Sequence, residues 1–278
     1  MNNFDLTALI ALGSLLAGFV GALTGLGGGI VITPLLALVF GIDIRYAIGA
    51  ALVSVIATSS GAAAAYVKAG LANLRIGMFL EVATTVGAVI GASLATRLPT
   101  STIAIIFGIV LLWSAYASSR PTLERSANAS PDRLATLLKM DSTYPAADGS
   151  RRYHVRGVPA GFSLMFVAGA LSGLLGIGSG AVKVIAMDQA MRIPFKVSTT
   201  TSNFMIGVTA AASEGVYLQR GYIDPGLAMP VMLGVLLGSL LGARILPRAR
   251  SPVLRLLFGV VVTVLAAEMI YHGITGRL

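Results

Sequence analysis

Two glycine-rich stretches of this chain have the composition of an anion-binding backbone. Glycine lets a ligand approach the main chain closely. A helix that begins just after such a stretch points unpaired N–H groups and its positive dipole end toward the gap. The residues concerned are Gly25, Gly27, Gly28 and Gly29 in the first stretch and Gly178, Ser179 and Gly180 in the second. We expect a small anion to bind between them, with close helix packing as the alternative explanation.

Neither stretch matches a nucleotide-binding motif. A dinucleotide fingerprint needs a soluble strand–helix unit with an acidic residue about 20 positions later, and a P-loop needs Gly-Lys followed by Ser or Thr. The glycines here lie between apolar segments, and no Gly-Lys-Ser/Thr occurs in them. Both nucleotide-binding interpretations are therefore rejected.

Polar residues follow the second stretch. Lys183 lies three residues after Gly180 inside an apolar run, where a lysine is costly and is a candidate functional residue. Its ammonium could attract the anion; an ion pair with Asp188, or extension of the side chain to the membrane surface, would also account for it. Ser202 and Asn203 follow on the next apolar segment, where their hydroxyl and amide could donate hydrogen bonds to an oxyanion.

Two acidic residues within apolar segments, Glu81 and Glu214, are candidates for carrying a coupled proton. A structural role near the membrane surface is the alternative for both. The chain has no Cys and two His, and no acidic or His residues have the spacing of metal ligands. We therefore predict no metal, no cofactor and no enzymatic activity.

The composition indicates an integral membrane protein. Of the 278 residues, 56% are hydrophobic and 11% are charged, which is about half the charge of a soluble domain. The apolar runs reach the roughly 20 residues that a membrane-spanning helix needs. The net charge of +9 is attributed to basic cytoplasmic loops rather than to nucleic-acid binding.

An internal repeat organises the chain. From residue 17 to residue 108, each position resembles the one 151 residues later, without a gap. Gly29 thus corresponds to Gly180, and Gly70 to Gly221. Two such halves, each with a glycine-interrupted apolar segment, are typical of transporters whose site lies between the repeats.

Each half divides into five apolar segments, which predicts an all-α membrane protein of ten segments with glycine-broken helices at the repeat interface. The first half, residues 1–117, has segments at 6–24, 28–40, 46–67, 76–96 and 102–117. The second half, residues 158–278, has segments at 161–175, 179–191, 197–218, 226–245 and 253–271. The second segment of each half is short for a full crossing, so it is either a tilted helix or a re-entrant one.

Residues 118–157 form a polar linker, expected to be partly flexible with one short amphipathic helix at 132–140.

If the first two segments of each half run out and back, fifteen Lys and Arg residues share the linker's side and four lie opposite. The positive-inside rule then makes the linker cytoplasmic and both termini external. Each half crosses an odd number of times, so the two repeats have inverted topology.

Three motifs resemble the TauE/SafE sulfite-exporter family, also called the toluene-sulfonate uptake permeases. They are GALTGLGGGIV at 21–31, GALSGLLGIGSG at 169–180 and TTSNF at 200–204. The resemblance covers both repeats and leaves out the linker. It implies a permease of the bacterial inner membrane that moves sulfite, sulfonates or related sulfur-containing acids.

We therefore expect a secondary transporter for a small sulfur-containing anion, coupled to a proton or another ion, whose halves rock around a midplane site. An anion channel, or a transporter of a non-sulfur organic acid, is the alternative. The sequence does not specify the substrate, the direction of transport, the coupling ion or the oligomeric state.

Overall fold

The computed structural model describes residues 3–24, 29–68, 70–119, 132–146, 149–178, 180–245 and 251–277. Four residues of the predicted anion site, Gly25, Gly27, Gly28 and Ser179, lie outside the described part of the chain. The elements in chain order are α1 (Asn3–Thr24), α2 (Gly29–Pro34), α3 (Ile44–Lys68), α4 (Leu74–Ala95), α5 (Thr100–Ser119), α6 (Arg133–Leu137), β1 (Ser142–Ala146), β2 (Gly149–Tyr153), α7 (Val158–Leu175), α8 (Gly180–Ile185), α9 (Phe195–Gln219), α10 (Pro225–Ile245) and α11 (Ser251–Thr275).

The helices follow the repeat. α3 and α9 begin and end 151 residues apart, and so do α2 and α8. Both α2 and α8 continue as one π-helical turn, Leu35–Val39 and Ala186–Ala190. Pro34 precedes only the first of these turns, so the proline is not their common cause.

Several helices suit a membrane environment. Among the described residues, Leu74–Ala95, Val158–Leu175 and Pro225–Gly242 are long and apolar enough to cross a bilayer. Shorter apolar helical stretches are Asp5–Val20, Gly29–Val39, Ile44–Ser60, Thr100–Tyr116 and Gly259–Thr275. Along α4, Met78, Val82 and Val86 are exposed at helical spacing, which indicates a lipid-facing stripe. The mainly helical, multi-pass architecture matches the prediction at this level, and the number of crossings stays a prediction.

The tightest helix contacts join one half of the chain to the other. The first helix of each half packs on the fourth helix of the other half, α1 on α10 and α7 on α4. A Cβ added to Gly91 would lie 2.0 Å from the carbonyl oxygen of Ala170, and one added to Gly238 would lie 2.0 Å from that of Leu15. Small residues of this kind let helix backbones touch in a membrane. The glycines of α4 and α10 therefore serve close packing.

The same contacts reveal the helix directions. Gly234 meets Ala11 and Gly238 meets Leu15, so the contact advances along both helices together and α1 runs parallel to α10. Between α5 and α11 the order reverses. Gly108 meets Ala266, whereas the later Gly273 meets the earlier Ser101. These two equivalent helices are therefore antiparallel.

The described part of the linker is folded and docked. α6 lies within the predicted amphipathic stretch, but β1 and β2 form an antiparallel hairpin, which the all-α prediction missed. The sequence signal was the neighbouring Asp148 and Gly149, residue types that are common in turns. Arg75 donates a hydrogen bond to the carbonyl oxygen of Lys139, and Tyr153 and Met140 are buried among membrane-helix side chains.

Asn73 connects the linker to both halves. Its Oδ1 accepts the N–H of Ile76 and caps α4, at 3.1 Å. Its Nδ2 donates to the hydroxyl of Tyr153 at 2.7 Å and to the carbonyl oxygen of Met140 at 3.2 Å. Its own N–H donates to Oγ1 of Thr201 on α9 at 3.0 Å. Burial raises the pKa of Tyr153, which keeps the hydroxyl neutral as an acceptor.

We expect Gly91→Ala to destabilise the protein by about 1–3 kcal/mol, because the new methyl group would clash with a backbone oxygen that cannot move away. Gly215→Ala is the matched control. That glycine is also helical, and nothing lies within 4 Å of its added Cβ, so its replacement should cost nothing. Thermal unfolding in detergent measures both. Equal melting temperatures for the two variants would contradict this account of the α4–α7 contact.

We expect Asn73→Asp to loosen the linker selectively. Aspartate keeps the oxygen that caps α4 but cannot donate to Tyr153 or Met140, and each lost hydrogen bond costs about 1 kcal/mol. Trypsin should cut faster after Arg151 and Arg152, while the melting temperature of the helices changes little. Asn73→Ala also removes the cap, so it should both speed this cleavage and lower the melting temperature of the helices. Wild-type cleavage rates in Asn73→Asp would disprove the docking role.

Candidate functional site

The two glycine breaks touch each other. A Cβ added to Gly29, where α2 begins, would lie 2.9 Å from the carbonyl oxygen of Gly176 and 3.6 Å from Cα of Ile177. Gly176 and Gly178 have φ of +67° and +69°, the left-handed conformation that glycine adopts at no steric cost. The end of α7 and the residues that lead into α8 therefore meet the start of α2.

Apolar side chains close this point. A Cβ at Gly29 would lie 2.9 Å from Cγ2 of Val55 on α3, and one at Gly178 would lie 3.0 Å from Cγ2 of Ile206 on α9. The described glycines Gly29, Gly178 and Gly180 are all buried. In the part of the chain that the structure describes, the breaks are therefore closed to solvent.

Ser202 and Asn203 lie beside the second break on α9. Ser202 is 1% exposed, and its hydroxyl donates to the carbonyl oxygen of Gly180 at 3.3 Å. Asn203 is partly buried. Of the two, Ser202 directly contacts the start of α8, so its hydroxyl is the nearer donor to the break.

Lys183 is fully buried. Its ammonium donates to Oγ1 of Thr209 at 2.5 Å, and this hydroxyl donates to Oε1 of Glu81 at 2.6 Å. A buried lysine thus reaches a carboxylate through one threonine hydroxyl. The alternative in which Lys183 extends to the membrane surface does not hold, because none of its side chain is exposed.

Glu81 has one engaged and one unengaged carboxylate oxygen. Oε1 accepts from Thr209, and also from Oγ1 of Thr85 at 3.4 Å. Oε2 is buried and has no hydrogen-bond partner among the described residues. Glu81 is 8% exposed, whereas Lys183 and Thr209 are 0% exposed. All three side chains are therefore buried.

The hydrogen-bonded Lys183–Thr209–Glu81 relay lies next to the glycine breaks. Side chains of a helix lean toward its N-terminus, so the long side chain of Lys183 leans back toward the beginning of α8 at Gly180. On α9, Ser202, Ile206 and Thr209 share one face. The breaks and the Lys183–Thr209–Glu81 relay therefore form two neighbouring parts of one region.

Sequence reasoning selected Glu81 and Lys183 separately but missed Thr209. The available signal was its helical spacing from Ser202 on the same face of α9. Glu214, the other acidic candidate, is partly buried further along α9, and no hydrogen bond between described residues joins it to the relay. The structure thus brings one of the two acidic candidates to Lys183.

The two equivalent positions, one in each half, carry neither charge. Glu81 corresponds to Met232, Lys183 to Ile32, and Thr209 to Thr58 at the offset of 151 residues. The acid and the base therefore occur together at one pair of positions, and both are missing at the equivalent pair.

The chain is similar to known membrane proteins over nearly its full length. A model of the sulfite exporter TauE/SafE family matches residues 10–269. The probable membrane transporter protein YunE of Bacillus subtilis is 28% identical over 273 residues, with 96% of this chain and 97% of its own length covered. A probable membrane transporter protein of Xylella fastidiosa is 26% identical over 261 residues, with 93% and 92% covered. No solved structure gives a significant match.

The family match includes both glycine breaks, the relay and the linker, which agrees with the resemblance of the motifs at 21–31, 169–180 and 200–204. The molecule is thus a membrane transporter and not an enzyme. The chain belongs to the TauE/SafE sulfite exporter family.

Proposed function

We propose that this protein is a secondary transporter for a small sulfur-containing anion, such as sulfite or an organosulfonate, that binds where the two glycine breaks meet. The observation that carries the proposal is the contact of Gly29 with the backbone of Gly176 and Ile177. Helices that begin at such a meeting point direct N–H groups toward an anion. The family membership supports the choice of a sulfur-containing substrate.

The anion would be held by both backbone and side-chain groups. We include all residues of the predicted site: Gly25, Gly27, Gly28, Gly29, Gly178, Ser179, Gly180, Lys183, Ser202 and Asn203. Two donors among the described residues are the strongest. One is the hydroxyl of Ser202 on α9, which contacts Gly180 at the start of α8, and the other is the buried ammonium of Lys183. The substrate would displace Val55 and Ile206 from the breaks.

We further propose that the two repeats have inverted topology in the membrane. α5 and α11 are equivalent helices and run antiparallel. A two-fold axis that exchanges two antiparallel helices is perpendicular to them. If both helices stand across the bilayer, this axis lies in the membrane plane, as it does in inverted-repeat transporters.

The moving units would not be the two halves of the sequence. The cross-half contacts α1–α10 and α4–α7 are at backbone distance, and these pairs should move together. One unit would contain α1, α2, α3 and α10, and the other α4, α7, α8 and α9, as their further contacts indicate. α3 and α9 would face each other across the substrate, so that rocking opens the breaks to either side.

A carrier fits the closed breaks better than a channel does, because Val55 and Ile206 occupy the space beside the glycines. In a carrier, unlabelled anion on one side of the membrane speeds the movement of labelled anion from the other side. A channel shows no such stimulation.

A carrier of a non-sulfur organic acid is the remaining alternative. Thermal shift against sulfite, sulfate, taurine, sulfoacetate and simple carboxylates separates the substrate classes, because a bound ligand raises the melting temperature.

We expect Lys183→Met to reduce sulfonate exchange in proteoliposomes by about tenfold or more, because the substrate loses its counter-charge. Lys196→Met is the matched control. The ammonium of Lys196 lies at the exposed start of α9 and donates to the carbonyl oxygen of Pro145, so its loss should leave exchange near the wild-type rate. Undiminished exchange by a folded Lys183→Met protein would exclude this role.

We propose that the protein lies in the bacterial inner membrane with the linker cytoplasmic and both termini periplasmic. The chain has no native cysteine, so a single Ser150→Cys substitution provides a unique label in the exposed hairpin. A membrane-impermeant maleimide should label this residue in inverted vesicles and not in intact cells. Labelling in intact cells would refute the proposed orientation.

A further inference from the structure

We infer that Glu81 carries the coupled proton and that the relay through Thr209 links its protonation to anion binding at Lys183. This inference rests on the proposed transport function and extends it to the coupling ion and the stoichiometry. It depends on three buried side chains from three helices: Glu81 on α4, Lys183 on α8 and Thr209 on α9.

The relay neutralises Lys183 when no substrate is bound. The ammonium donates to Oγ1 of Thr209 at 2.5 Å, and Thr209 donates to Oε1 of Glu81 at 2.6 Å. Because a hydroxyl lies between the two charges, they attract each other less strongly than in direct contact. An anion that approaches Lys183 therefore competes with Glu81 for one ammonium.

Protonation of Glu81 removes this competition. The unengaged Oε2, which is buried and has no partner among the described residues, is the position where a proton can be added. The proton comes from water when the site opens to one side of the membrane. Once Glu81 is neutral, the ammonium is left with an uncompensated charge in a buried place, and the incoming anion supplies the missing negative charge.

The charge of the site then stays constant throughout the cycle. The empty site holds one ammonium and one carboxylate, and the loaded site holds one ammonium, one neutral carboxylic acid and one monovalent anion. On the opposite side the anion leaves, Glu81 returns its proton to water, and the relay forms again. One proton accompanies each monovalent anion in the same direction, and no net charge crosses the membrane.

The surroundings of Glu81 leave Lys183 as the charge that acts on it. α7, which packs on α4, has no ionisable residue. On α4 itself, the guanidinium of Arg75 is engaged with the linker. On α9, Lys196 donates to the linker and Tyr217 donates to the carbonyl oxygen of Gly173, while Glu214 is the remaining ionisable group beyond Thr209.

The test uses wild-type protein in liposomes with labelled methanesulfonate, a sulfonate that stays a monoanion over the working pH range, and a trapped pH-sensitive dye. An inward proton gradient should drive accumulation of methanesulfonate together with internal acidification. In exchange measurements at equal pH on both sides, the apparent affinity should fall by about tenfold per pH unit once Glu81 is deprotonated, as linkage to one proton requires.

Glu81→Gln imitates the protonated residue. It should retain methanesulfonate exchange, lose the dependence of affinity on pH, and lose both gradient-driven accumulation and acidification. Glu214→Gln is the matched control and should behave as the wild type does. Thr209→Val, which removes the hydroxyl between the charges, should weaken the pH dependence without abolishing exchange. Glu81→Asp should restore proton-driven accumulation in part.

The outcomes separate the two proposals. If the wild type exchanges no sulfonate, sulfite or carboxylate, the proposed function fails. If it exchanges the anion but pH affects neither affinity nor accumulation, only the coupling inference is overturned. A folded Glu81→Gln protein that still couples, or a Glu214→Gln protein that does not, also overturns it. Should Glu81→Gln fail to fold, Glu81→Asp and Thr209→Val decide, and a wild-type pH dependence of affinity in both variants overturns the inference.

Discussion

The contact of helix backbones at glycine is the constraint on which this structure depends. α4 and α7 approach until the carbonyl oxygen of Ala170 occupies the space where a Cβ of Gly91 would lie, and α1 and α10 approach as closely at Gly238. Both contacts join opposite halves of the chain. α4 is thereby carried away from its own half and into the group that contains α8 and α9. This exchange brings Glu81 of the first half to Lys183 of the second.

A lysine buried in an apolar segment needs a partner, because an isolated charge away from water is very costly. Here the partner is reached through Thr209 rather than directly. A direct ion pair would satisfy both charges more completely and would resist replacement by a substrate. The intervening hydroxyl satisfies the polar atoms while leaving the pair separable. This geometry suits a site that must alternate between an internal partner and an external one.

The scaffold is nearly symmetric, and its chemistry is not. The polar run at the start of α9 has apolar counterparts in α3, and its members divide between two tasks. Thr200 donates to the carbonyl oxygen of Leu71, and Thr201 accepts from the N–H of Asn73, so these two anchor the loop between α3 and α4. Ser202 contacts the glycine break instead. The duplication supplied two equivalent frameworks, and only one of them carries the paired charges.

The offset of 151 residues was enough to predict that α3 and α9 would have matching bounds. The bounds of a helix follow from the length of its apolar run and the position of its glycine interruptions, and both are local features of the sequence. The offset also indicated that the two breaks belong together. The linker hairpin was missed, since a docked turn depends on what it packs against. Glu81 and Thr209 are 128 residues apart, and no local pattern relates them. Their pairing was decided by which helices touch. Helix contact depends on side-chain volume and on how closely the backbones of the two halves approach, and a hydropathy profile along the chain gives no information about either.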